Sequence, residues 1–231
     1  MNKYYLRKYT GFTLVEMAIV LVILGFVLGA LLLPLRAQRE QAAQIQTNNT
    51  LELAKQALLG FAQARGRLPC PAAAASGIEA APVGGICNPQ VGDLPAVTLG
   101  IQPVNAQGFA EDAWNNRIKY AVTNANAGAF ITSQGISNLG IAALTPDLTV
   151  CSTSACTNTL ANNAAVLIYS TGATGLQATG SADETENLNL DTKFVSRDIS
   201  QVAAPNEFDH IVTWISPFVL YNAMIQAGQL H

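Results

Sequence analysis

Apolar side chains fill the chain from Phe12 to Leu35, where Glu16 is the only charge. At about 1.5 Å of rise per residue, a helix of this length can cross a hydrocarbon core of about 30 Å. The pattern changes at Arg36. From there to Arg65 the chain is polar, free of proline and helix-favouring, and Leu51, Ala54, Leu58 and Phe61 recur on one narrow helical face. The pattern predicts one helix over residues 12–65, about 80 Å long, apolar in its first half and amphipathic in its second. Pro34, Gly25 and Gly29 are its weak points, because proline removes a backbone bond and can kink a helix. Gly66 and Pro69 end it.

Beyond the helix the period shortens. Residues 72–107 are rich in alanine, glycine and proline and read as a long ordered loop. Arg117 to Thr123 alternates like a half-buried strand, residues 124–128 form a turn, and Ala129 to Ser133 returns as the partner strand. Ala164 to Ser170 is the most apolar, most β-favouring stretch of the head, and Thr171 to Gly175 is a tight turn after it. A short strand near Phe194 and a closing strand from Asp209 to Ile215 follow. Pro217 to Ala227 reads as a short helix with Phe218, Tyr221, Met224 and Ile225 turned inward and Gly228 as its stop. These elements make an α+β fold in which a long N-terminal helix packs on an antiparallel β-sheet of roughly four strands, with a disulfide-tied irregular region.

Charge sets the orientation. Lys3, Arg7 and Lys8 precede the apolar run with no acid among them, a distribution that keeps the N-terminus cytoplasmic and sends the rest across the membrane as a single-pass protein. A secretory signal peptide would have a shorter apolar core followed by a small-residue cleavage site, and no such site stands at the end of this run. A carboxylate as deep in a span as Glu16 is costly unless paired, so it marks a functional position. The 231 residues are 50% apolar and only 12% charged. Beyond Tyr120 the only basic residues are Lys193 and Arg197, against eight acids, which argues against nucleic acid as a partner.

Cys70, Cys87, Cys151 and Cys156 all follow the span. An even number in an exported domain reads as up to two disulfides, with three connectivities open. Zinc would call for Cys-x-x-Cys or Cys/His spacing, which neither neighbouring pair has, and His210 and His231 supply no fitting partner.

Gly11-Phe12-Thr13-Leu14-Val15-Glu16, after the basic segment ending Lys8-Tyr9-Thr10 and before the apolar helix, resembles the N-terminus of type IV pilins and type II secretion pseudopilins. The resemblance implies a leader over residues 1–11, a membrane and filament-core half of the helix over 12–35, an amphipathic half over 36–65 and an exported head over 66–231. It further implies that a prepilin peptidase cuts between Gly11 and Phe12, that the new amine of Phe12 is methylated, and that Glu16 pairs with the Phe12 amine of a neighbouring subunit. Loss of the leader takes the net charge from −3 to −6. The implied protein is a structural filament subunit, a minor pilin or pseudopilin, and not an enzyme. Its partners are the peptidase, other pilin subunits and an inner-membrane assembly platform. It resides in the bacterial inner membrane with a periplasmic head, then in a pilus or periplasmic pseudopilus. The alternative is a filament-tip subunit that recognises a surface, a secreted substrate or DNA. The resemblance continues in Gly66 to Pro71 and in Asp112 to Tyr120, which look like the helix exit and the Asp-x-Trp-Gly-Asn segment of major pseudopilins, with Asn115 where that pattern has glycine.

Chemistry elsewhere is sparse. Asp183, Glu184, Glu186 and Asp209 are hard oxygen donors that could hold Ca2+, which takes six to eight oxygens. Tyr169 to Gly175 looks like the turn before the calcium loop of major pseudopilins, with Thr174 where an aspartate is common. The competing reading is a solvated acidic loop. His210 next to Asp209 lacks a nucleophile in a hydrolase-like setting and reads as a surface or satisfied histidine. Trp114 and Trp214 read as packing residues.

Overall fold

The computed structural model describes residues 11–177 and 181–230, apart from the side chains of residues 30–35. The basic segment with Lys3, Arg7 and Lys8, the ring of Pro34 and His231 lie outside the described residues.

The chain divides into two compact units, one reaching Ala42 and the other beginning at Ala43. Helix α1 spans Leu14–Arg65 without interruption. In the first unit Phe12, Leu14, Phe26 and Leu28 are all more than half exposed. Among the described residues no helix is long and apolar enough to cross a membrane. The span expected over 12–35 includes the undescribed side chains.

In the second unit α1 gains a buried face. Leu51, Ala54, Leu58 and Ala62 are 0–2% exposed; the first three are those the helical spacing picked out, while Phe61 is only half-buried. The unit then runs through β1 (Val91–Asp93), α2 (Ala96–Leu99), β2 (Lys119–Val122), the helical turn α3 (Ala125–Gly128), α4 (Gly135–Leu139) and β3 (Leu148–Cys151). It continues with β4 (Thr159–Ala164), β5 (Val166–Ser170), α5 (Ala182–Leu188), β6 (Lys193–Val195), β7 (Ile211–Ile215) and α6 (Pro217–Gln226).

Two sheets result. The larger has the order β1-β2-β5-β7 and is antiparallel throughout. The smaller has the order β4-β3-β6, with β3 and β6 parallel. Strand β5 is buried at every position because both of its faces are covered. Val166 and Ile168 face a core shared with Leu51, Leu58, Tyr120 and Val122. Leu167 and Tyr169 face a second core with Leu148, Val150 and Phe194 of the smaller sheet. That two-sided burial is why the stretch reads as a continuous apolar run and not as an alternation.

The ends of the unit are tied together. Cys70 bonds Cys87, and Cys151 bonds Cys156. Gly66 terminates α1 in the left-handed region, φ 66°, as a helix-ending glycine does. Gln63 Nε2 donates to Ala223 O and Gln229 Nε2 donates to Gln63 O, which locks the end of α1 to α6.

Several expectations change. Ala129 to Ser133 is no strand; β2 pairs instead with β1 and β5, both distant in sequence. The loop over 72–107 contains β1 and α2, elements too short to show a period. The acidic loop after Ser181 is helix α5. In α6 the inward stripe is Leu220, Tyr221, Ala223 and Met224, which leaves Phe218 78% and Ile225 48% exposed on the flanks.

Candidate functional site

The N-terminus of α1 carries a reciprocal cap. Thr13 precedes the first helical residue, and its Oγ1 accepts the Glu16 N–H at 3.2 Å. Glu16 reaches back, and its Oε2 accepts both the Thr13 N–H at 2.8 Å and the Thr13 hydroxyl at 2.9 Å. The Thr-x-x-Glu pattern thus forms a capping box, in which two otherwise orphaned backbone donors are satisfied by side chains three residues apart. The carboxylate also sits where the helix dipole favours negative charge. Phe12, just ahead, is 83% exposed. Thr13 is the residue sequence reasoning passed over, although Thr13-x-x-Glu16 was legible as a capping pattern.

In the second unit the polar groups gather around the end of β5. Asp112 is buried and accepts the Trp114 and Asn116 N–H groups and, at 2.6 Å, the Ser170 hydroxyl. Asn115, where the resembling pattern has glycine, adopts φ 65°, a conformation that asparagine tolerates better than most residues. Gly172 has φ 64°, and a Cβ there would lie 2.3 Å from Asp209 O. Only a glycine lets the turn approach Asp209. Thr174 then closes that contact, donating its N–H at 2.7 Å and its hydroxyl at 3.0 Å to the Asp209 carboxylate.

Helix α5 carries three of the four acids proposed for calcium, and Asp209 lies just ahead of β7. Ser181 caps the helix, accepting the Glu184 N–H. Asp183 pairs with Arg197 at 2.8 Å and Glu186 with Lys193 at 2.7 Å. Glu184 is fully buried and accepts the Asp209 N–H at 3.0 Å. The structure therefore gathers Glu184 and Asp209, adds His210 within 4.8 Å of them, and leaves Asp183 and Glu186 outside, each facing a cation of its own. Burial raises the pKa of Asp209.

His210 is 2% exposed, buried where the sequence suggested a surface or satisfied residue. Asn187 fixes its tautomer. The Asn187 amide accepts the Val195 N–H at 2.6 Å and donates to Val195 O at 3.0 Å, and its nitrogen lies 3.1 Å from His210 Nδ1. Nδ1 is therefore the acceptor and Nε2 carries the proton. A cation on Nε2 would require reversing the amide and losing both bonds to Val195. Nε2 has no hydrogen-bond partner among the described residues, and burial lowers the His210 pKa to about 4. The donors present suit a hydrogen-bonded cluster of mixed acids and amides, and they do not fit a calcium cage.

Residues 6–32 match the family model of the prokaryotic N-terminal methylation motif. No curated protein and no solved structure matches the chain. The chain thus carries a prepilin segment of the type IV pilin and pseudopilin kind, within which Gly11, Phe12, Thr13 and Glu16 fall.

Proposed function

We propose that the protein is a structural subunit, a minor pilin or pseudopilin, of a type IV pilus or type II secretion filament. The observation that carries the reading is the match of residues 6–32 to the methylation motif, with the α1 cap inside it. A prepilin peptidase would cut between Gly11 and Phe12. The exposed apolar side chains from Phe12 to Leu28 need a non-aqueous environment, which the inner membrane supplies before assembly and neighbouring helices supply after it. Glu16 is then the acceptor for the Phe12 amine of a neighbouring subunit, a pairing that relieves the burial of both charges. The head remains periplasmic, and the assembly platform of the inner membrane is the third partner after the peptidase and the other subunits. The role is packing in a filament and not catalysis.

The test is mass spectrometry of the mature N-terminus in membrane and sheared-filament fractions, with and without the peptidase. A methylated Phe12 start that depends on the peptidase supports the reading. Its abundance in sheared fibres would make the protein a pilus subunit, and its confinement to the membrane fraction a pseudopilin or scarce minor subunit. A retained leader, or a cut after the apolar run, refutes it. The second reading, a filament-tip subunit that binds a surface, a secreted substrate or DNA, rests on the size of the head and its surface grooves.

A further inference from the structure

A groove of about 220 Å3 opens between β4, the start of α6 and the segment around Leu144. None of the residues lining it is charged. A neutral lining supplies no charge to pair with phosphate, nucleic acid or a metal ion.

Its polar groups are placed by a β-bulge. Strand β3 advances two residues from Leu148 to Val150, while β4 takes three from Ala164 to Ala161. Asn163 absorbs the extra residue with φ 59°. In a regular strand, consecutive side chains leave on opposite faces. Here Asn162 and Asn163 both line the groove, re-aimed as bulges re-aim side chains. Both are exposed, and neither amide makes a hydrogen bond among the described residues.

Phe218 lines the same groove, 78% exposed and held at the first turn of α6, where Ser216 accepts the Val219 N–H. The floor is Tyr221. It is 4% exposed, and its hydroxyl is buried with no hydrogen-bond partner among the described residues. Such a hydroxyl is uncommon in folded proteins, where buried polar groups are paired. Among the described residues the chain supplies it no partner, and a ligand hydroxyl seated in the groove would do so.

An open aromatic face, two free amides and a buried unpaired hydroxyl in an uncharged groove are the chemistry that recognises a sugar ring. The C–H face of the sugar stacks on the phenyl ring, and its hydroxyls meet the amides. Drug-sized ligands occupy about 300–1,000 Å3, so this groove suits one ring. The bulge also breaks the regular edge of β4 that an extended peptide would need for strand addition. We propose that this groove binds one ring of a neutral saccharide, with Phe218 as the stacking face, Asn162 and Asn163 as hydroxyl partners and Tyr221 at the floor. The inference goes beyond filament assembly and fails separately from it, because N-terminal processing does not touch this groove.

The experiment is saturation-transfer NMR on the full chain, in detergent without a sugar headgroup, against glucose, galactose, mannose, N-acetylglucosamine and N-acetylgalactosamine. At least one sugar is expected to bind saturably, with a dissociation constant on the order of millimolar for so small a ligand. Phe218→Ala, at an exposed position, is expected to weaken it about tenfold. Tyr221→Phe keeps the ring and separates a lost contact from a lost fold, and it too should weaken binding. Val202→Ala, at an exposed residue outside the groove, should match the wild type. Saturable binding of no sugar in the panel, wild-type affinity in Phe218→Ala, or capture of an uncharged peptide in place of every sugar overturns the proposal.

Discussion

Acidification from about pH 7 to about pH 5 should cost the head about 2 kcal/mol through one residue, His210. Its ring is 2% exposed, its Nδ1 accepts from Asn187, and burial lowers its pKa from 6.5 to about 4. Glu184 and Asp209 face the ring, and Arg197 lies over Phe208, which packs on it; burial outweighs the two carboxylates. The unfolded chain therefore takes up this proton at a higher pH than the folded one. The stabilisation is complete above the unfolded-state value of 6.5 and is lost as the pH falls toward 4. At about 1.36 kcal/mol per unit of pKa, the full difference is about 3 kcal/mol, of which about 2 kcal/mol is gone by pH 5. Asp209 acts in the opposite sense. Its raised pKa gives a contribution that is present at low pH and fades as the pH rises through its folded-state value. The assay is urea unfolding of the full chain in detergent, followed by the fluorescence of Trp114 and Trp214, on the wild type and His210→Gln. The glutamine offers Asn187 an acceptor but cannot titrate. The wild type should lose stability across this window and the variant should not. A flat wild-type profile, or an equal loss in His210→Gln, refutes the reasoning.

Two further outcomes follow from the packing. Leu58→Ala removes a fully buried side chain from the contact between α1 and the larger sheet and should cost about 2–5 kcal/mol in the same unfolding assay; a loss under about 1 kcal/mol would mean that the helix is not held by this face. Replacing Cys70 and Cys87 together by serine releases a loop closed over a sequence separation of 17. It should lower the unfolding free energy by about 3 kcal/mol, and an unchanged urea midpoint would count against a bridge that stabilises the head.

What the sequence disclosed depended on how long each pattern ran. Helix α1 was legible because Leu51, Ala54 and Leu58 repeat over several turns, and β5 because an apolar, β-branched run of its length has few other uses. Strands β1, β3 and β6 have three or four residues each, too few for a period, and the pairings of β1 with β2 and of β3 with β6 join segments distant in sequence. Of the smaller sheet only β6 was anticipated, as a short strand near Phe194, and its pairing with β3 was not. Helix α5 was hidden by its charges, although Ser181-x-x-Glu184 is a helix-start pattern. Around the acidic cluster, sequence spacing located Glu184 and Asp209 but could not reveal that Arg197 and Lys193 neutralise their neighbours. Nor could it show that Asn187, held by Val195, sets the proton on His210. Asn115 was readable as a departure from glycine, while its left-handed backbone, which explains both residues, needed the fold.

The cap at Thr13 has a consequence for the order of events at the membrane. Both groups that hold Glu16, the Thr13 amide and hydroxyl, lie on the carboxyl side of the Gly11–Phe12 bond. A cut there would release the leader without disturbing the cap, so the carboxylate would stay held through Oε2 in a waiting subunit. Both internal bonds end on that one oxygen, which leaves Oε1 free of them. In the proposed pairing an arriving amine would meet a carboxylate already oriented, and Thr13 would fix the direction from which the amine has to come.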